Sequence, residues 1–245
     1  MFLWFHKLGS PPHFYRIAGI WLPWLTTIFV LLLVSGLYGG LILAPPDYQQ
    51  GDSYRIIFIH VPSAWMSLII YMVMAVCGLV VIVWRMKMAE VVLICSAPIG
   101  ASFTFLALAT GSLWGKPMWG TWWVWDARLT SELILLFLYL GVIGLQGAIE
   151  DRRVAARAVS ILALVGVVNI PIIHYSVEWW HSLHQGPTVT KFDAPSIHWS
   201  MLIPLLLMAL SFQFYFAVAL FHRCRAELLD RERNSKWVQE LTGGT

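Results

Sequence analysis

The sequence predicts an all-α membrane protein, a bundle of six transmembrane helices. Of its 245 residues, 59% are hydrophobic and only 12% are charged, whereas a soluble domain averages about 25% charged residues. The mean hydropathy is +0.72. A chain with so little charge indicates a lipid environment. Its net charge of +3 is too small to indicate a nucleic-acid partner.

Six apolar stretches are long enough to cross a bilayer, because about 20 helical residues span its hydrocarbon core. They cover residues 20–43, 57–84, 91–113, 128–149, 158–178 and 199–221. Prolines are expected to kink several of these helices, namely Pro62, Pro98, Pro171 and Pro204. We therefore expect one membrane domain, 1–221, followed by a tail, 222–245.

Lysine and arginine are distributed unequally between the two ends of the predicted spans. One set holds Lys7, Arg16, Arg85, Lys87, Arg152, Arg153, Arg157, Arg223, Arg225, Arg231, Arg233 and Lys236. The opposite set holds only Arg55, Lys116, Arg128 and Lys191. By the positive-inside rule, both termini face the cytoplasm. The loops 44–56, 114–127 and 179–198 then face the periplasm, and the N-terminal segment is predicted to be retained rather than cleaved as a signal peptide.

The second periplasmic loop is rich in tryptophan. It contains Trp114, Trp119, Trp122, Trp123 and Trp125. Each ring carries roughly 150–250 Å² of surface that something must cover. Gly115, Pro117 and Gly120 predict a break from the neighbouring helices, and a helical turn from Trp119 would place three of the rings on one face. Two interpretations stay open: an amphipathic segment at the membrane interface, or a platform for a planar aromatic ligand.

Charged residues follow the tryptophans directly. Asp126 is placed to cap the fourth helix, and Arg128 can pair with Glu132 one turn later. A second interpretation is ligand binding. Arg55, Lys116 and Arg128 are nearly all of the positive charge on this side, and arginine holds a carboxylate through two parallel hydrogen bonds.

Five of the eight histidines lie on the same side: His60, His174, His181, His184 and His198. His60 opens the second span, where an ionisable residue is a candidate for function, although a hydrogen-bonded histidine at a helix end is the alternative. His184 is either a ligand or a plain loop histidine, and His181 could share its helical face. His174 is expected to be a satisfied polar residue within the bundle. Two imidazoles beside a tryptophan-rich loop suit haem, whose iron takes axial histidines.

Several motifs are missing from the sequence. The three cysteines, Cys77, Cys95 and Cys224, form no C-x-x-C pair, and burial as small hydrophobes is the favoured interpretation. The sequence contains neither C-x-x-C-H nor a phosphate-binding G-x-x-x-x-G-K-[ST] loop. Covalent haem attachment and ATP hydrolysis are therefore not expected of this chain, which is predicted to be a scaffold rather than an enzyme.

Three segments resemble one protein family. WGTWWVWDARLTSELILLFLYLG, residues 119–141, looks like the tryptophan-rich WWD signature of a haem-handling superfamily. PPDYQQGDSYRIIFIHVPSAWMS, residues 45–67, and NIPIIHYSVEWWHSLHQG, residues 169–186, resemble the haem exporter protein C family (CcmC) of bacterial cytochrome c maturation. The resemblance covers about residues 10 to 221, with six spans in the same order.

The resemblance implies that haem b is bound non-covalently at the periplasmic face of the bacterial inner membrane, with His60 and His184 as axial ligands. The other implied haem contacts are Trp114, Trp119, Trp122, Trp123, Trp125 and Asp126, with Arg55 and Arg128 as propionate partners. The haem would be presented to a periplasmic haem chaperone (CcmE-like). Further implied partners are an ABC-type ATPase subunit and its membrane partner (CcmA- and CcmB-like) and a small single-span protein (CcmD-like).

Two other functions are weighed against this one. A b-type haem electron-transfer subunit would carry histidines deep in facing spans. A haem-translocating transporter would need polar residues through the bundle centre. The predicted spans are mostly apolar, which favours a scaffold that presents haem. The outer loops are too short to enclose haem fully, so we expect a shallow site with one open porphyrin edge.

Overall fold

The computed structural model describes residues 9–180, 182–184 and 196–243. Within these residues the chain forms eight α-helices: α1 (Pro11–Tyr38), α2 (Ile57–Trp84), α3 (Lys87–Trp119), α4 (Ala127–Ala148), α5 (Arg152–Gly166), α6 (Asn169–Trp179), α7 (Trp199–Arg231) and α8 (Lys236–Thr242). A π-helical turn, Gly39–Leu43, extends α1, and a 3-10 turn, Asp52–Ile56, precedes α2.

Six helical segments are long and apolar enough to cross a membrane, as the sequence predicts. They are Pro11–Leu43, Asp52–Trp84, Lys87–Trp119, Ala127–Ala148, Arg152–Trp179 and Trp199–Arg231. The predicted all-α class is thus confirmed, whereas the sidedness of the termini stays a prediction. His181, Lys7, Lys191 and much of the predicted loop 179–198 lie outside the described residues.

The third span is longer than predicted. Helix α3 continues through Gly115 and Pro117 to Trp119, so the expected break before Trp114 is wrong. Near a helix C-terminus a proline removes only one backbone hydrogen bond of the last turn. The helix ends instead at Gly120, whose φ of 74° and N–H bond to the Lys116 carbonyl form a left-handed cap.

The fifth span is broken into α5 and α6. Pro171 lacks the N–H that would bond to the Val167 carbonyl in a continuous helix. The Ile170 N–H instead bonds to Val167 O at 3.0 Å, a tighter i−3 contact. The result is a break between Gly166 and Asn169, after which the short helix α6 completes the span.

Helices α2 and α3 form the centre of the bundle, and α4, α5 and α7 pack around them. The core includes fully buried Tyr71, Met74, Leu93 and Tyr139. Helix α1 packs mainly on α7, and many of its apolar side chains face outward, as lipid contact would require.

Much of the predicted tail after residue 221 is helical in the described part of the chain. Helix α7 continues to Arg231, which forms ion pairs with Glu90 and Glu227, each at 2.5 Å. Helix α8 then buries Val238 and packs Trp237 against the core.

One charged residue interrupts the apolar bundle near its tryptophan-rich end. Glu132 on α4 is buried, and Ser67 on α2 donates a hydrogen bond of 2.7 Å to its carboxylate. Tyr139 donates to the Ser67 carbonyl at 2.7 Å, and Asn169 donates to the Ser131 carbonyl at 2.8 Å. The spans are thus less uniformly apolar than the sequence suggested, because this polar network ties α2, α4 and α6 together.

Candidate functional site

His60 lies in the first turn of α2 with one ring nitrogen engaged. Its Nδ1 is 3.0 Å from the Thr110 hydroxyl on α3. The same hydroxyl is 2.6 Å from the Leu106 carbonyl; when it donates there, its oxygen accepts from the imidazole. In that tautomer Nδ1 of His60 carries the proton and Nε2 keeps its lone pair. This is the tautomer that can ligate a metal.

His184 is held in the same tautomer by a carboxylate. Its Nδ1 is 3.1 Å from Asp126 Oδ2, and a carboxylate can only accept. Ser182 also donates to Asp126 Oδ2, while Asp126 Oδ1 accepts from the Leu129 N–H at 2.8 Å. Asp126 thus caps α4, as predicted, and at the same time orients His184.

The ionisation of this pair follows from its surroundings. Burial lowers the pKa of His184, Arg128 lowers it further, and Asp126 opposes both. For Asp126, burial favours the protonated carboxyl, but hydrogen bonds from Ser182 and Leu129 and the nearby imidazole outweigh it and lower the pKa. Near neutral pH the site therefore holds a carboxylate and a neutral imidazole, the form that a metal ligand needs.

Both histidines line one cavity of about 200 Å³. It opens between the first turn of α2, the last turns of α3 and the segment around His184. The side chains that argue for a ligand site are those of Trp114, Trp119, Arg128, His60 and His184. The structure thus brings together residues that lie up to 124 positions apart in the chain.

The five tryptophans divide into two groups. Trp114 packs edge-on against His60, with ring centroids 5.6 Å apart, and Trp119 packs edge-on against His184 at 4.8 Å. The others, Trp122, Trp123 and Trp125, are not among the residues lining the cavity. The predicted common helical face of Trp119, Trp122 and Trp123 is wrong, because the helix ends at Trp119 and the chain after Gly120 is irregular.

The predicted propionate partners are also separated. Arg128 lines the cavity, one turn from Glu132. Arg55 is engaged elsewhere: it donates to Asp52 and to the Gly40 carbonyl, each at 2.9 Å. It does not line the cavity, so its contact with a ligand stays a prediction.

The sequence is similar to known proteins over nearly its whole length. A family model described as Heme exporter protein C (CcmC) matches residues 4–239. A protein of that name from Escherichia coli (strain K12) is 54% identical over 96% of this chain and 95% of the relative. Relatives from Haemophilus influenzae and Paracoccus denitrificans are 48% and 38% identical, over 98% and 94% of this chain and 98% and 95% of their own lengths. The chain belongs to the Heme exporter protein C family.

In this member of the Heme exporter protein C family, the other histidines within the described ranges do not line the cavity. His174 on α6 is exposed, so the expected position within the bundle is wrong; α6 turns that face outward. His198 caps α7 through the Ser200 N–H. Among the described residues, no three His, Cys, Asp or Glu side chains gather as a site for a bare metal ion.

Sequence reasoning missed several residues of the site. Thr110 and Ser182 hold the two histidines, and Gln50 accepts from the Trp114 indole N–H at 2.8 Å. Gly111 permits the close approach of His60, since a methyl group there would lie 3.0 Å from His60 Cε1. The only available signal was the pair Thr110–Gly111, a hydroxyl and a missing side chain near the end of an otherwise apolar span.

Proposed function

We propose that this chain binds haem non-covalently between His60 and His184 and presents it to another protein for cytochrome c maturation. The observation that carries the proposal is a pair of imidazoles that line one cavity, each with Nδ1 within hydrogen-bond distance of an oxygen: Thr110 Oγ1 for His60 and Asp126 Oδ2 for His184. Membership of the Heme exporter protein C family supports haem as the cargo.

The other residues of the cavity fit the chemistry of haem. Trp114 and Trp119 provide aromatic surface next to each imidazole, suited to a flat porphyrin. Arg128 is the cation that lines the cavity and suits a propionate. Asp126 acts through His184 as a positioning residue, as carboxylates do beside ligating histidines.

The size of the cavity favours presentation over storage. Pockets that enclose a small organic ligand measure roughly 300–1,000 Å³, and this one measures about 200 Å³. A macrocycle larger than a typical drug would therefore stay partly outside. An open porphyrin edge is what a second protein needs in order to take the haem away.

We further propose that the site faces the periplasm of a bacterial inner membrane and that the receiving partner is a CcmE-like haem chaperone. Support comes from the charge distribution, which puts the histidines on the poorly basic side, and from Trp122 and Trp125, which are 55% and 76% exposed beside the site. Exposed aromatic surface of this kind is common at binding sites for proteins. An ATPase subunit, its membrane partner and a small single-span protein complete the proposed complex, in which this chain is a scaffold rather than an enzyme.

The deciding experiment is the absorption spectrum of the purified chain loaded with haem, compared with His60→Ala and His184→Ala. The wild type should show a low-spin, six-coordinate spectrum. Each variant should lose haem or change spin state, and added imidazole should restore part of the signal. His198→Ala is the matched control and should leave the spectrum unchanged.

The assignment of the ligands would be wrong if the double variant kept haem with an unaltered low-spin spectrum. In that case another histidine must supply the axial bonds. His174 and His181 would then be tested in the same way.

A further inference from the structure

A second cavity lies at the opposite end of α2, roughly 37 Å along the helix from His60 at 1.5 Å per residue. It measures about 810 Å³ and opens where α2 ends, α3 begins and α5 begins. Four basic side chains line it: Arg85, Lys87, Arg153 and Arg157. Such a cluster so far from the histidines belongs to a different site.

Part of this charge is neutralised within the protein. Lys87 pairs with Glu232 at 2.5 Å, and Glu90, the acidic residue of the lining, pairs with Arg231 at 2.5 Å. In the described part of the chain, no salt bridge is made by Arg85, Arg153 or Arg157. Three guanidinium groups therefore line one cavity without a salt bridge, although the exposed carboxylate of Asp151 lies close enough to Arg153 to interact with it electrostatically.

The positive-inside rule explains why basic residues lie at this end. It does not explain why one of them has an unfavourable backbone conformation. Arg85 has a φ of 53° and is the single non-glycine residue with positive φ in the described ranges. The left-handed conformation is unfavourable for a residue other than glycine, and glycine is the common choice at such a helix end. Strain of this kind is often found at functional sites.

The start of α3 adds to the positive potential of the cavity. Met86 is its N-cap and lines the cavity, yet has no side-chain oxygen to accept the first-turn N–H groups. The N-terminal end of a helix carries about half a positive charge and favours anions. The arginines and the N-terminal end of α3 together favour the binding of an anion with several oxygens.

The surroundings of the cavity place it at the membrane interface. Val81 and Ile82 form an apolar wall beside the arginines. Val83 and Trp84, which follow them, are 55% and 58% exposed on the outside of the bundle, where tryptophan is typical of the headgroup level. A ligand that fits has an anionic head and an apolar body.

We infer that this cavity binds the headgroup phosphate of an anionic membrane phospholipid. Arg85, Arg153 and Arg157 hold the phosphate, and Val81 and Ile82 contact the acyl chains. Basic pockets between transmembrane helices bind phospholipid heads in this way. The site is independent of haem binding, so either proposal can fail without the other.

The test uses the full chain in nanodiscs of phosphatidylcholine with increasing phosphatidylglycerol, with bound lipid counted by native mass spectrometry after release. The variant R85Q/R153Q/R157Q should lose the preference for phosphatidylglycerol, roughly fivefold per arginine. The control R152Q/R223Q/R233Q removes the same charge from exposed positions at the same end that do not line the cavity, and it should keep the preference. Equal loss in both variants, or in neither, would overturn the proposal.

Two further experiments distinguish loss of lipid binding from misfolding, and a lipid phosphate from a free phosphate. Arg85→Gly relieves the left-handed strain, so its thermal stability should equal or exceed that of the wild type while its lipid preference falls; unchanged preference argues against the site. Inorganic phosphate should not displace the lipid. Arginine-dependent binding of free phosphate, or of an acidic partner protein, without any lipid preference would also overturn the assignment.

Discussion

The two candidate ligands are held by acceptors of different strength. His60 donates to a neutral hydroxyl, Thr110, whereas His184 donates to the carboxylate of Asp126. Hydrogen bonds to a charged acceptor are roughly twice as strong as neutral ones, and a carboxylate partner raises the basicity of a ligating imidazole. His184 should therefore be the stronger axial ligand and His60 the one more easily released when haem leaves.

Thr110 gives the first test at the residue scale. Thr110→Val removes the acceptor for His60 Nδ1 while keeping the shape, so the imidazole loses its fixed tautomer. Loss of such a partner weakens metal binding about 10–100-fold, and we expect at least the lower end of that range in haem titrations. Thr110→Ser keeps the hydroxyl and should bind haem as the wild type does. Equal binding by the valine variant would mean that Thr110 does not orient His60.

The pKa of His184 tests the role of Asp126. Only a neutral imidazole ligates iron, and the pKa of His184 is lowered by burial and by Arg128 against the opposing effect of Asp126. Haem should thus stay bound until the pH falls below the ordinary histidine value of about 6.5. Asp126→Asn removes the opposing charge, so the pKa of His184 in the haem-free chain should fall further, which an NMR titration of the imidazole would measure.

The same Asp126→Asn variant should bind haem more weakly at neutral pH, because an amide oxygen is a poorer acceptor than a carboxylate. Asp151→Asn, which makes the same change at the N-cap of α5 away from the cavity, is the matched control and should leave haem affinity unchanged. A His184 pKa that rose in Asp126→Asn, or unchanged haem affinity at neutral pH, would contradict the assigned roles.

At the scale of helices, the bundle depends on close contacts at glycine. Helix α3 passes α4 where Gly100 faces the ring of Tyr139, and a methyl group at Gly100 would overlap that ring. Tyr139 is fully buried and bonded to the Ser67 carbonyl, so it has no room to move. Gly166 on α5 faces Tyr71 in the same manner.

Gly100→Ala is therefore expected to destabilise the bundle by about 1–3 kcal/mol, the usual cost of overpacking. Gly144→Ala on the outer face of α4 is the matched control, since a methyl group there meets nothing within 4 Å, and alanine is the better helix former. Thermal unfolding in detergent should separate the two variants. Equal melting temperatures would show that α3 and α4 are free to separate.

The sequence predicts the presence of the membrane-spanning helices better than it predicts the residues at which they end. The apolar stretches predicted all six spans, because hydropathy alone decides whether a helix can enter lipid. The predicted end of α3 is too early, because Gly115 and Pro117 break a helix in its middle but are tolerated near its C-terminal end. The decisive residue was Gly120, whose left-handed cap ends the helix after Trp119.

At the scale of the whole molecule, the site depends on contacts that no local pattern reveals. The sequence predicts four residues of the cavity from their position on the poorly basic side of the membrane and from the chemistry of their side chains: His60, Trp114, Arg128 and His184. Which tryptophans face the histidines could not be predicted, because that depends on where α3 ends and how it packs on α2. Thr110 and Ser182 were missed for the same reason: a hydroxyl becomes part of a site only when folding brings it to an imidazole.

The division of the tryptophans gives the last prediction. Trp114 and Trp119 contact the histidines, whereas Trp122 and Trp125 are exposed, so the inner pair should retain haem and the outer pair should contact the receiving chaperone. A photocrosslinker at Trp125 should capture the chaperone only when haem is bound and His184 is intact, since the open porphyrin edge completes the docking surface. A crosslinker at Trp84, 58% exposed at the other end of the bundle, should capture none. An equal crosslinking yield at Trp125 without haem would show that the chaperone docks independently of the ligand. The exposed tryptophans would then form a docking surface that does not require the haem site.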